Sequence, residues 1–317
     1  MRSILTLTVF LFLCFQGSAQ QQAQYTQFMY YKLGYNPGYA GSSESPCISA
    51  IVRSQWIGLE GAPQTQIVTY AMPLVNQRVG IGGILHRETV GITESITFNG
   101  IYSYRFRLGR GYVGLGLQGS IRSFRMDFMD DRLVSTQPLA IDQSIPGGTQ
   151  QKFIFNAGAG VYYSGEQYYV GFSVPRIIDN NIDFGNSTLE VSRELRHFYF
   201  MGGVSIPLSD NTSLQPQILI KYVDNSPFDA DFNVTLNIIN KYMAGLTYRL
   251  GGSSTTGFGE SLDIMLAAQI SRNLLFGVSY DITLSDLKDY NTGSIEALLR
   301  FCINQAEGDE YINPRFF

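Results

Sequence analysis

Few residues here are of types that do chemistry, and their spacing argues against most of it. Gly114-Leu115-Gly116-Leu117-Gln118-Gly119 spells G-x-G-x-x-G, the turn that lays a pyrophosphate on the amino end of a helix. Here Ser120-Ile121-Arg122-Ser123-Phe124 continues an alternating strand instead, so the glycines are read as small residues that leave room or allow bending. His86 and His197 are the two histidines, far apart, with no H-E-x-x-H and no Cys or carboxylate at metal-ligand spacing. There is no G-x-S-x-G elbow. Asp127, Asp130 and Asp131 fall in an expected loop, where a solvated rim explains them better than an acid/base pair or a calcium site. These residues imply no enzyme, no cofactor and no metal.

Cysteine says more. Cys14 lies in an amino-terminal leader: Arg2, the apolar run Ile4 to Phe15, then Gly17, Ser18 and Ala19 read as a signal peptide over residues 1–19. Its removal takes away Arg2 and moves the formal charge from −4 to −5, too weak a bias to argue for nucleic acid. Cys47 and Cys302 then remain in an oxidising compartment. Cys47 opens the first strand candidate and Cys302 follows the last. Parity places Cys47 with Ser49, Arg53 and Gln55, and Cys302 with Glu296 and Arg300. Two readings stand: a disulfide stapling the first strand to the last, or two unpaired thiols offset by the shear of the sheet.

The elements that must position these residues are strands. In Asp229–Ile238, Ala230, Phe232, Val234, Leu236 and Ile238 fall on one side and Asp229, Asp231, Asn233, Thr235 and Asn237 on the other. That is the period-two pattern of a ribbon with one apolar face. Phe276, Val278, Tyr280, Ile282 and Leu284 repeat it against Gly277, Ser279, Asp281, Thr283 and Ser285. Fourteen such candidates run from Cys47–Trp56 to Ser294–Phe301, an even number, and many match the ~9–11 residues that cross a bilayer at a tilt. Short joins, such as Gly165–Glu166 and Ile239–Asn240, alternate with longer ones, notably Met126–Lys152 and Pro175–Leu195. Charged residues are 15% of the chain against about 25% in soluble domains, while Gly (33), Tyr (20) and Phe (21) are abundant.

The expectation is an all-β chain: an antiparallel transmembrane barrel of about 14 strands over residues 47–302, apolar face to lipid, in an outer membrane. Residues 20–46 form an arm or plug and 303–317 a tail, with both termini in the periplasm at the short-turn rim. The lumen then receives Arg105, Arg107, Arg122, Lys221, Arg249 and Arg300, with Asp231, Asp263, Asp281 and Glu296. Mutual pairing of these charges is favoured over an ion-selective pore. A soluble sandwich has the same alternation, but strand length, rim asymmetry and low charge weigh against it.

Three stretches carry a family resemblance. Gln24-Tyr25-Thr26-Gln27-Phe28-Met29 with Tyr35-Asn36-Pro37-Gly38-Tyr39-Ala40-Gly41 resembles the opening of mature PorP/SprF proteins of type IX secretion. Gln55-Trp56-Ile57-Gly58-Leu59-Glu60-Gly61-Ala62-Pro63-Gln64-Thr65 resembles that family's first hairpin loop, and Asn313-Pro314-Arg315-Phe316-Phe317 a tail seen in some members. Gly38 stands where the family usually has Ala.

The resemblance implies an outer-membrane barrel of the type IX secretion and gliding apparatus that supports export or surface anchoring of a large adhesin-like protein. Its partners would be that cargo, outer-membrane lipid and other components of the machinery. Partner contact is expected of Tyr25, Gln27, Phe28, Tyr35, Asn36, Pro37, Tyr39 and Gly41 on the arm. It is also expected of Trp56, Gly58, Gly61 and Pro63 on the loop and Arg315, Phe316 and Phe317 in the tail. The arm's rings either fill the lumen and dock a partner or simply close the barrel floor. A transporter for small apolar molecules, similar to long-chain fatty-acid barrels with an amino-terminal hatch, is the alternative. A secreted glycan-binding β-protein using Trp56 is a third.

Overall fold

The structure, a computed structural model, describes residues 23–132, 147–184, 193–224, 226, 229–251 and 259–303. Fourteen antiparallel strands form its wall. The first seven are β1 (Cys47–Ser54), β2 (Gln64–Leu74), β3 (Val79–Val90), β4 (Thr93–Leu108), β5 (Gly111–Asp127), β6 (Thr149–Ser164) and β7 (Tyr168–Val174). The other seven are β8 (His197–Val204), β9 (Thr212–Val223), β10 (Asp229–Ile238), β11 (Tyr242–Leu250), β12 (Ser261–Ser271), β13 (Leu274–Thr283) and β14 (Ser294–Cys302). Each pairs with its neighbours in sequence, and β1 pairs with β14, so the sheet closes and leaves no edge. No described helix is long and apolar enough to cross a membrane.

The apolar face points outward. Phe232 and Val234 are 42% and 46% exposed, whereas Asn233 between them is nearly fully buried and Asp231, just before them, fully so. Phe276 and Val278 are likewise exposed and Ser279 and Asp281 buried. In a water-soluble sandwich the order would be reversed, because apolar burial drives folding there. An apolar band on the outside of a closed sheet with a polar inside is the arrangement lipid requires.

Ile239 and Asn240 both have φ near +50°, the tight turn that joins two twisted strands with two residues. Two segments at the opposite rim bend inward. After β7, Pro175 lies over Gly158, Ile177 donates its N–H to the Ala157 carbonyl, and a two-residue ladder pairs Asn180–Asn181 with Arg193–Glu194. Arg107, expected in the lumen, is exposed at the end of β4: the strand outruns the barrel there, and alternation no longer separates inside from outside.

Candidate functional site

The arm enters the lumen at the short-turn rim, beside Pro46, and climbs toward the long-loop rim as its numbers fall. Gly41 lies against Gly80 near that first rim, whereas Gln24 donates from Nε2 to Asp229 Oδ2 near the other, at 2.8 Å. It is built of short turns: Phe28–Tyr30, Lys32–Tyr35 and Pro37–Tyr39. Asn36 caps the last turn by accepting from the Gly38 N–H at 2.8 Å, while its Nδ2 donates to the Val161 carbonyl of β6 at 2.9 Å.

Packing holds the arm on one side and charge on the other. Tyr25, Phe28, Met29, Leu33 and Tyr35 are buried, and full burial of one such side chain contributes about 1.5–3 kcal/mol. Tyr25, Tyr31, Tyr35 and the wall residue Tyr199 follow one another edge-on or tilted, with ring centres 5.0–5.6 Å apart. Where the arm backbone meets the wall, side chains give way. A Cβ on Gly114 or Gly116 would overlap Gly38 or Pro37, and one on Gly80 would overlap Ala40. The G-x-G-x-x-G of β5 therefore serves close approach of two backbones.

Opposite the glycines lies a charge network. Arg53 reaches Asp281 at 2.7 Å and Glu296 at 3.3 Å; Arg249 reaches Asp231 at 3.0 Å and Asp263 at 3.4 Å; Lys221 reaches Asp231 at 2.9 Å. The arm completes it. Thr26 Oγ1 donates to Asp281 Oδ1 at 2.5 Å, and the N–H groups of Thr26 and Gln27 donate to the two oxygens of Glu296 at 3.2 and 3.0 Å. Buried charges persist when paired and hydrogen-bonded, and these are both. An ion path would need them free.

Among the described residues several spaces remain. Beside the inturned β7–β8 loop lies a chamber of about 290 Å³, and against the top of the arm a smaller one of about 70 Å³ that shares Glu88, Ser95, Arg122 and Arg176 with it. In the larger, Glu194 accepts at Oε1 from both Arg176, at 2.6 Å, and Arg122. Burial alone would raise the Glu194 carboxyl, but Arg176 and then Arg122 outweigh it and hold it below the usual range. Outside, on the long-loop rim, is an open groove with room for about 720 Å³, floored by Trp56, Ile57, Leu59 and Ala62 and edged by Arg87 and Glu94. Its first loop is pinned on both sides: Trp56 N–H donates to Ser294 Oγ, Ile57 N–H to the Gly293 carbonyl, and Gly91 N–H to the Gly61 carbonyl. Trp56 has φ +50°, Gly58 φ +99° and Gly61 φ +71°, so the loop holds three left-handed residues.

The structure separates the residues expected to bind partners. Tyr25, Gln27, Phe28, Tyr35, Asn36, Pro37 and Gly41 are buried in the lumen and Tyr39 is half-buried there, all engaged with the wall. Trp56, Gly58 and Gly61 line the groove and Pro63 lies in the same loop, all exposed or half-exposed. Arg315, Phe316 and Phe317 lie outside the described residues, as does the leader. Cys47 and Cys302 face each other across β1 and β14 with their sulfurs bonded at 2.06 Å. Sequence reasoning missed the Arg122–Glu194–Arg176 cluster, because nothing in the run around Arg176 marks a loop that folds inward.

The whole arm and all but the last residue of the wall lie within residues 17–301, which match the family described as type IX secretion system membrane protein PorP/SprF. The chain belongs to the PorP/SprF family. It is thus a type IX secretion component of the outer membrane. Among solved structures it is similar to the monoaromatic hydrocarbon channel CymD, with TM-score 0.52 and 12% identity over 89% of this chain and 94% of that one. It is also similar to the Ralstonia pickettii toluene transporter TbuX, with TM-score 0.51 and 10% identity over 85% and 92%. At such identity the likeness is one of fold: an outer-membrane barrel. No curated protein matches the chain.

Proposed function

We propose that this PorP/SprF member works without catalysis, as an anchor or export partner for a large adhesin-like surface protein in secretion and gliding. The filled lumen carries the reading. With the arm and the charge network occupying the interior, the working surfaces are the two rims. The short-turn rim, with the carboxyl-terminal end of β14, is assigned to the periplasm and to the machinery, the tail residues Arg315, Phe316 and Phe317 included. The long-loop rim is assigned to the exterior, where the pinned Trp56 groove offers cargo an apolar floor with charged edges.

The reading is tested at the groove, which is not part of the arm's packing. Combined Trp56→Ala and Leu59→Ala should leave the barrel in the outer membrane with unchanged heat-modifiable mobility, while cargo on the cell surface falls about tenfold, the effect of ~1.4 kcal/mol lost at one contact. Unchanged surface cargo would sink it. The alternative, passage of small apolar molecules as named for CymD and TbuX, needs an apolar route. Among the described residues the lumen offers charges and arm instead.

A further inference from the structure

The short-turn rim does not spread its side chains evenly. The turns β2–β3, β4–β5, β10–β11 and β12–β13 lie on either side of the β1–β14 seam. Each sets a base beside an exposed aliphatic side chain: Arg78 with Val75, Arg110 with Leu108, Lys241 with Ile239 and Arg272 with Ile270. The turns β6–β7 and β8–β9, across the rim, carry Glu166 and Asp210 and no base. At the seam itself Glu44 is exposed on the arm, and Arg107 stands at the lumen mouth. Arg78, Arg110 and Arg272 make no ion pair among the described residues.

Backbone strain marks the same places. Val75 and Ile239 have φ +49° and +53° and are 70% and 60% exposed. A β-branched side chain is poorly tolerated in that region, where a tight turn prefers glycine or asparagine. Strained and turned into water, these two side chains lose on both counts; against an apolar layer they lose on one. Such a layer is close. Tyr104 and Phe106 on β4, Tyr242 on β11, Phe276 on β13 and Phe301 on β14 face outward just above this rim. Rings at that position mark the boundary between acyl chains and headgroups. Lys241 Nζ lies 5.4 Å from the centre of the Tyr242 ring. The headgroup layer is about 5–8 Å deep, the climb of about two tilted strand residues. The turn bases therefore stand at the height of the phosphates, which favours lipid over a protein beneath the membrane.

We propose that these four turns form an arc that gathers acidic phospholipids in the leaflet where they stand. The guanidinium and ammonium groups hold phosphate oxygens through charge-assisted hydrogen bonds. Val75, Leu108, Ile239 and Ile270 enter the glycerol and upper acyl region beside them. Glu166 and Asp210 repel the same headgroups, so the lipid shell is acidic along the seam side and not across from it. The inference rests on the barrel's place in a membrane and not on its cargo.

The test uses protein purified folded from outer membranes and placed in vesicles of phosphatidylethanolamine and phosphatidylglycerol in equal amounts. It is then released into detergent, and native mass spectrometry counts and identifies the lipids it keeps. Phosphatidylglycerol should be retained about fivefold over phosphatidylethanolamine, the preference that ~1 kcal/mol per base at an acidic surface gives. Arg78→Gln with Arg110→Gln, and Lys241→Gln with Arg272→Gln, should each about halve the phosphatidylglycerol retained. All four together should bring the ratio to about one, and the two pairs carry the test if the fourfold variant does not fold. Val75→Asn with Ile239→Asn should lower the number of lipids kept at an unchanged ratio; an unchanged number removes the aliphatic side chains from the site. A parent without preference, or a fourfold variant as selective as the parent, overturns the proposal. So does a fourfold variant that keeps the parent's lipid ratio but loses a bound periplasmic protein, which would assign the arc to a protein. Surface cargo is not read in any of these measurements, so failure here leaves the proposed anchoring role standing.

Discussion

Arg53 shows how tightly single residues are held. It bridges Asp281 and Glu296, both of which also take hydrogen bonds from the arm. Arg53→Ala takes the close cation from two buried carboxylates, leaving Asp281 only Arg249 at 3.8 Å, and should cost about 3–5 kcal/mol in reversible unfolding from vesicles, followed by the fluorescence of the single tryptophan, Trp56. Replacing the trio together (Arg53→Met, Asp281→Asn, Glu296→Gln) should cost less than Arg53→Ala alone, since no charge is then left behind. Gly116→Val acts on the opposite wall, where the new side chain meets Pro37. It should cost about 1–3 kcal/mol and make the arm a protease target while the wall survives. An arm as resistant as in the parent would show that the backbone contact is not what seats it. Neither effect is readable from sequence. Gly116 there is one of several small residues in a strand, and only the approach of Pro37 gives it a task.

At the scale of elements, the strands were legible because lipid outside and charge inside repeat every second residue over the span. Asp229–Ile238 has the same bounds in the sequence reading and in the structure. The reading failed where that contrast ends. Expected at Phe153, β6 begins at Thr149, since Thr149 to Lys152 continue the ladder with β5 in polar residues that carry no alternation. Past the barrel's edge Arg107 keeps the parity of Arg105 but is exposed rather than enclosed. The Arg176–Glu194 loop makes a separate prediction. Its carboxyl is held below the ordinary range, so its pairing stabilises the folded loop above the unfolded value of about 4.3 and is lost as pH falls through the lower folded value. Amide exchange in residues 176–184 and 193–196 should therefore accelerate on acidification below about pH 4. In Glu194→Gln that acid step should be absent. Equal acid steps in both proteins would detach the loop from this carboxylate.

For the whole molecule, the seam between β1 and β14 is where a closed sheet is made from an open chain. The Cys47–Cys302 bond spans 255 residues, and the loop-closure scale gives about 5 kcal/mol for a ring of that size. Thiol titration of the unfolded, unreduced protein should find no free thiol, and Cys47→Ser with Cys302→Ser should lower the temperature of the heat-induced mobility shift. Two free thiols would remove the bond. The barrel class, strand number and family were all in the sequence, since they rest on a long repeated pattern and on short motifs. The occupied interior was not, because the arm has no period and several of its partners are more than 200 residues away in the chain, as with Gln24 and Asp229.

The wall's missing side chains at Gly80, Gly114 and Gly116 have a consequence for how the molecule comes into being. A sheet curled without its arm would carry a furrow along β3 and β5 with nothing to line it, an empty groove beside backbone already paired within the sheet. The segment that fills that furrow leaves the ribosome before any strand does, and it is tethered beside the first of them. Order of synthesis thus matches order of need: the filling is present before the vessel shuts, and the bond between Cys47 and Cys302 can close around it.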